Sequence, residues 1–110
     1  MRFDIADLSL FRHVVEAGSI THGAERAHLA LAAASTRIRA MEDVLGVPLL
    51  TRGRQGLTPT QAGRTLLQHA RAILRQSERL HEDLLEVERV ASDHRTGRRD
   101  VALLHLGQRV

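Results

Sequence analysis

Between residues 66 and 91 the chain carries an apolar repeat of seven, which a single small domain does not need for its own core. Leu66, Ile73, Leu80 and Val87 are spaced by seven, and Ala70, Ser77, Leu84 and Ala91 follow each by four. These are the a and d positions of four consecutive heptads. The seam predicts one helix over residues 61 to 91, roughly 45 Å long at 1.5 Å per residue. Leu67 and Leu74 add a second stripe in the first half only. The first half is therefore expected to pack on its own domain as well as on a partner, and the second half on the partner alone. The eight seam residues are the expected dimerisation set, weakened locally by the polar Ser77.

Ahead of this helix, punctuation divides the chain into short elements. Asp4 can cap a helix over residues 5 to 17, in which Ile5, Leu8, Phe11, Val14 and Val15 form one apolar stripe. Gly18 ends it, and Ser19 can open a second helix over residues 20 to 28, where Gly23, Ala24 and Ala27 allow close approach of a neighbour. After a tight turn at His28-Leu29-Ala30, a third helix is expected over residues 31 to 45. Its inner arc is Ala34, Ile38, Met41 and Leu45; its outer arc is Ala32, Thr36, Arg39 and Asp43, flanked by Ser35 and Arg37. Gly46 and Pro48 stop it. Residues 49 to 52 and 57 to 58 read as two extended pieces around a loop of residues 53 to 56, a small β-hairpin. Pro59 closes the hairpin and Thr60 caps the long helix. Residues 92 to 99 read as a hinge. Residues 100 to 106 read as one short buried strand, so the chain looks cut just after entering a second domain.

Three short helices, a hairpin and a long helix make a mainly α fold: a winged helix-turn-helix over residues 1–59, a linker and dimerisation helix over 60–91, and the start of a further domain over 92–110. In this architecture the third helix enters the major groove, the second meets phosphates through its amino end, and the hairpin loop reaches the flanking backbone or minor groove. The charge distribution agrees. Residues 30 to 77 hold seven arginines and two acids, whereas residues 78 to 91 hold five acids and two arginines. All sixteen basic residues are arginine, a side chain suited to bidentate phosphate or guanine contacts, although a GC-rich coding bias is the simpler cause of that usage. Arg37 and Arg39 on the third helix, and Arg52 and Arg54 on the wing, are the candidate DNA contacts. Ser19, Thr21 and Thr60 carry hydroxyls that either cap helices or donate to phosphate.

Other chemistries find little support. There is no cysteine, and none of the seven histidines pairs with another on one helix at a spacing of three or four, so neither a disulfide nor a metal site is expected. No nucleophile, base and orienter group together and no Gly-rich phosphate loop is present, so no enzyme and no cofactor is expected. The start, MRFDIADLSLF, has acids where a signal peptide needs an apolar run, and no stretch is long and apolar enough to span a membrane. A cytoplasmic protein is the expectation.

The segments VVEAGSITHGAERAHLA and STRIRAMEDVLGVPLLTRGRQGLTPTQAG resemble the amino-terminal region of the LysR-type transcriptional regulators. The resemblance runs without gaps from about Leu8 to Leu80. It implies a homodimeric regulator that binds double-stranded promoter or operator DNA. It also implies, for a longer chain, a two-lobed domain sensing a small co-inducer and a possible tetramer. LHLG at residues 104 to 107 is similar to the first strand of that domain. One departure stands out. The family's recognition helix usually begins Ser-Gln-Pro or Ser-Gln-Ser, with Gln and a later Arg touching bases. Here Ala30, Leu31 and Ala32 stand at those positions, and Thr36 replaces the Arg. Ser35 carries over; Leu31, Ala32 and Thr36 carry over by position only. Residue 31 therefore offers no bidentate amide to adenine, and readout is expected from methyl contacts to thymine, from Arg37 or Arg39, and from the wing. A rival expectation is a winged helix whose face has shifted to protein binding or to nearly nonspecific DNA binding.

Overall fold

A computed structural model describes residues 3–93. Its elements are α1 (Ile5–Ala17), α2 (Ile20–Arg26), α3 (Leu31–Leu45), β1 (Leu50–Gly53), β2 (Gly56–Pro59) and α4 (Gln61–Asp93). This is the expected mainly helical winged helix-turn-helix followed by a long helix. The chain divides into two units, Met1–Leu74 and Arg75–Val110.

Local chemistry explains most boundaries. Asp4 caps α1 in a reciprocal box: the Asp7 N–H donates to Asp4 Oδ1 at 2.8 Å, and the Asp4 N–H donates to Asp7 Oδ2 at 3.3 Å. Gly18 ends α1 at a left-handed φ of 68°, and Ser19 Oγ accepts the His22 N–H at 3.2 Å to start α2. α2 stops at Arg26, two residues short of the expected end. The Leu29 N–H donates to Ala24 O and the His28 N–H to Glu25 O, at 2.9 and 3.1 Å. This is a Schellman termination, with His28 at φ 58° in the place usually taken by glycine. α3 ends at Gly46, φ 72°, as expected.

The hairpin pairs antiparallel in the register Leu50↔Pro59, Thr51↔Thr58, Arg52↔Leu57 and Gly53↔Gly56. The strands thus run further than expected, and only Arg54 and Gln55 remain as the turn. Gly56, at φ 94°, provides the left-handed residue that lets so short a turn close.

Leu10, Phe11, Val14, Ala24, Ala34, Ile38, Met41, Leu49 and Leu67 form the core of the first unit. Gly23 brings α2 onto α1: a Cβ there would stand 2.5 Å from Val14 Cα. α4 contributes a buried face of Gly63, Leu67, Ala70 and Leu74 at helical spacing. The first unit thus takes in α4 as far as Leu74. In the second unit α4 continues to Asp93, so Ser92 and Asp93 are helical and not hinge. The rest of the expected hinge and the strand at 100–106 lie outside the described residues.

Candidate nucleic-acid interface

The amino end of α2, the first turns of α3 and the wing enclose a cleft of about 500 Å³. Five of the expected contact residues line it: Ser19, Thr21, Leu31, Ser35 and Arg52. Gly18, Gly53 and Gly56 add bare backbone to its walls. A smaller recess continues along α3, where Arg39 joins Ser35, Glu42 and Arg52.

Each side chain has a structural reason for its place. α3 has a 3.6-residue period, so burying Ala34, Ile38 and Met41 turns Ala32, Thr36 and Arg39 outward, where all three are exposed. Leu31 opens the helix and is 49% exposed, an apolar group held in water at the cleft. Ala30, the N-cap residue, makes no side-chain cap, so the first-turn N–H groups of α3 keep their donors and the positive end of the helix dipole stays open. Arg54 stands exposed at the hairpin turn. Among the described residues, no carboxylate lies within ion-pairing distance of Arg39, Arg52 or Arg54, so their charge is uncompensated.

Arg37 differs. Its Nη1 stands 3.7 Å from Asp7 Oδ1, which ties α3 to the start of α1. Ser19 spends its acceptor on the α2 cap but keeps its proton. Thr60 does not keep its proton: its Oγ1 donates to Pro48 O at 2.8 Å and accepts the Gly63 N–H at 3.0 Å. Arg64, which adds to the basic stretch, donates to Pro59 O and Gln61 Oε1 beside it.

Glu42 carries a role that its place in the sequence did not disclose. Its Oε2 accepts the Leu49 N–H at 2.7 Å, and its backbone carbonyl accepts the Gly46 N–H at 2.8 Å. The one available signal was an acid in the last turn of a helix, just before a Gly-x-Pro exit.

The seam on α4 is split by the fold. Ala70 has no exposed surface in the single chain, where it packs in the core of the first unit. Leu66 is half-buried against that core. Ile73, Leu80, Leu84 and Val87 are exposed large apolar groups, joined by Leu85; Ala91 is also exposed and Ser77 half-buried. Among the described residues, no group of three or more His, Cys, Asp or Glu could hold a metal ion, and no helix is long and apolar enough to cross a membrane.

Fold and cleft together define a bacterial-type winged helix-turn-helix module. Residues 5–64 match the family described as bacterial regulatory helix-turn-helix protein, lysR family, and the chain belongs to it. It is 46% identical over 71 residues to the nitrogen assimilation regulatory protein nac of Escherichia coli, covering 64% of this chain and 23% of that protein. It is 40% identical over 82 residues to the probable HTH-type transcriptional regulator LrrA of Synechococcus elongatus, covering 74% of this chain and 26% of that protein. Among solved structures it is similar to the CbnR_DBD–DNA complex, with a TM-score of 0.69 and 32% identity, covering 77% of this chain and 98% of that one. It is also similar to the BenM_DBD/catB site 1 DNA complex, with a TM-score of 0.73 and 27% identity, covering 77% and 94%. The chain spans about a quarter of the length of these two curated relatives.

Proposed function

We propose that the chain is the DNA-binding part of a sequence-selective transcription regulator and works as a homodimer. The observation that carries this reading is the cleft. Three elements bring hydroxyls, backbone N–H groups and guanidiniums to one face, and among the described residues no carboxylate lies within ion-pairing distance of Arg52 or Arg39, Glu42 in the same recess being engaged with the Leu49 N–H. On duplex DNA, Ser19, Thr21 and the open end of α3 face phosphates, and Leu31, Ala32, Ser35, Thr36 and Arg39 face base edges. Arg52 and Arg54 reach the flanking backbone or minor groove. Arg37 reaches DNA only when it leaves Asp7. The chain is then not an enzyme, and it works in the cytoplasm where the promoter is. A small-molecule co-inducer and a tetramer belong to a longer protein with an effector domain.

Dimerisation rests on the exposed stripe of α4. Leu80, Leu84 and Val87 are 57%, 57% and 41% exposed, which one soluble helix does not sustain without a partner. Leu66 and Ile73 also open on an apolar groove of about 700 Å³ with Phe3, Leu8, Leu45 and Val47. Charge sets the direction of pairing. Residues 61 to 75 hold three arginines and no acid, whereas residues 78 to 91 hold five acids and two arginines. Antiparallel helices place these opposite stretches side by side; parallel helices place like with like.

A salt titration tests the DNA reading. Binding to a promoter duplex should weaken steeply with salt yet stay well above binding to a random duplex at physiological salt. Equal affinity for both would favour nearly nonspecific binding, and no binding at low salt would remove DNA as the ligand. Selection from a random duplex library should also return different preferred bases for wild type and Leu31→Gln, because an amide reads adenine where leucine touches a thymine methyl. The same sequence bound more selectively by the variant would defeat the apolar-contact reading.

A further inference from the structure

The wing and the recognition helix can read one DNA surface only if their relative position is held. Glycine and proline at Gly46 and Pro48 separate them, and a two-stranded hairpin has little stability of its own. The structure shows what holds it. Leu49, fully buried, lies at the root of the wing, and its peptide groups are taken on both sides. Its N–H donates to Glu42 Oε2 on α3 at 2.7 Å, and its carbonyl accepts the Thr60 N–H at 2.9 Å at the start of α4. Thr60 Oγ1 also donates to the neighbouring Pro48 carbonyl at 2.8 Å. Three elements thus meet at two residues; α3 side chains Ile38 and Met41 share the apolar core with Leu49, and among the described residues Glu42 is the α3 side chain that hydrogen-bonds into the knot.

Glu42 is otherwise out of place. It shares a recess with Ser35, Arg39 and Arg52, on the face that would meet a polyanion. A carboxylate there repels phosphate, so a surface shaped only for charge would not carry it. It sits one turn beyond Arg39 and two beyond Ser35, in line with the residues that face the DNA. The hydrogen bond is partly buried and charge-assisted, a class stronger than a neutral pair.

We infer that Glu42 is a positioning residue for DNA binding: its carboxylate fixes the wing root to the recognition helix, so that Arg52 and Arg54 engage the same duplex as α3. The inference rests on the DNA reading above. It touches no base or phosphate itself. Without the Glu42 bond the wing still forms, but its arginines no longer arrive pre-placed, and their contribution to affinity falls.

A double-mutant cycle on the 110-residue chain tests this, read as affinity and salt dependence on one random-sequence duplex of about two helical turns. Removing a phosphate contact should lower the salt slope by about 1. In wild type and in Glu42→Gln, Arg54→Ala should cost that slope and roughly 3- to 10-fold in affinity. The Gln amide oxygen accepts the same N–H, so it rescues. In Glu42→Ala, Arg54→Ala should change affinity less than about 2-fold, with no change of slope. Gln and Ala both remove the charge, so their difference isolates the hydrogen bond. Amide exchange at Leu49 reads the latch without DNA: the amide should be protected in wild type and Glu42→Gln and exchange rapidly in Glu42→Ala, while amides of α1 remain protected. Equal effects of Arg54→Ala in all three backgrounds, or a protected Leu49 amide in Glu42→Ala, would overturn the inference. A wild-type chain that binds no duplex would instead overturn the DNA reading, whatever the Leu49 amide does.

Discussion

Gly63→Ala should destabilise the protein, although alanine is the better helix former. Position 63 lies in the first turn of α4, where intrinsic propensity favours alanine by up to about 1 kcal/mol. Packing opposes it. A Cβ at 63 would stand 2.1 Å from Leu49 O and 3.1 Å from both Leu49 C and Pro59 Cβ. Relief needs a shift of about 1 Å between α4 and the wing root to reach even a tight contact. That shift would break the Thr60 N–H bond to Leu49 O, now 2.9 Å, and strain the two bonds of Thr60 Oγ1 at 2.8 and 3.0 Å. Each is worth about 1 kcal/mol net, and overpacking costs about 1–3 kcal/mol on its own scale. After subtracting the propensity gain, the loss should be about 2 kcal/mol. At roughly 4–8 °C per kcal/mol, the melting temperature should fall by about 10 °C. Circular dichroism at 222 nm suits the assay, because the chain has no Trp or Tyr for fluorescence. Protein concentration must be fixed, since dimerisation adds to stability. Gly53→Ala is the control: nothing lies within 4 Å of the place its methyl would take, so it should stay within about 0.5 kcal/mol of wild type. A Gly63→Ala chain that melts at or above wild type would refute the reasoning.

Three further outcomes follow from the same geometry. His13 titrates below its ordinary 6.5, through burial first and the Arg12 guanidinium second, so the unfolded chain binds its proton more tightly. Stability should therefore be full above pH 6.5 and decline as pH falls below it, until the folded imidazole is itself protonated; His13→Gln should flatten that decline in urea melts, and an unchanged slope would exclude His13 as its source. Asp7→Asn should free Arg37 while its amide oxygen still receives the Asp4 N–H, giving tighter binding to random duplex and a salt slope steeper by about 1; unchanged binding would show that the 3.7 Å pair does not restrain Arg37. Leu84→Lys, placed in the exposed stripe, should weaken the dimer at least about tenfold in sedimentation equilibrium. An undisturbed dimer would move the interface elsewhere.

The fold was legible because its punctuation is explicit. Asp4, Gly18, Ser19, Gly46, Pro48 and Thr60 each do at their positions what their chemistry favours, so α1 and α3 fall within the expected bounds. α2 ended early because a histidine occupies the left-handed position, where sequence reading looks for glycine or asparagine. The glycines of the wing read as loop, yet Gly53 and Gly56 pair with each other across the hairpin. In the site, periodicity placed Ala32, Thr36 and Arg39 on the outward arc with Ser35 and Arg37 on its flanks, but it could not foresee Asp7 beside Arg37, because that contact joins residues thirty apart. The burial of Ala70 within its own chain was hidden for a related reason. A small residue on the seam is also what lets a helix lie close to its own domain, and only the packing of α4 shows which need it meets. Glu42 was hidden because an acid on a helix reads as a solvated surface residue until its hydrogen-bond partner is in view.

Titration of duplex DNA into isotope-labelled protein, followed amide by amide, tests the central claim most directly. The account predicts that the perturbed amides cluster at residues 18–21, 30–39 and 52–56, with Arg39, Arg52 and Arg54 side chains shifting in step, while residues 75–93 stay in place. Perturbations centred on α4 or on the far side of α1, with the cleft between α2, α3 and the wing unaffected, would contradict it.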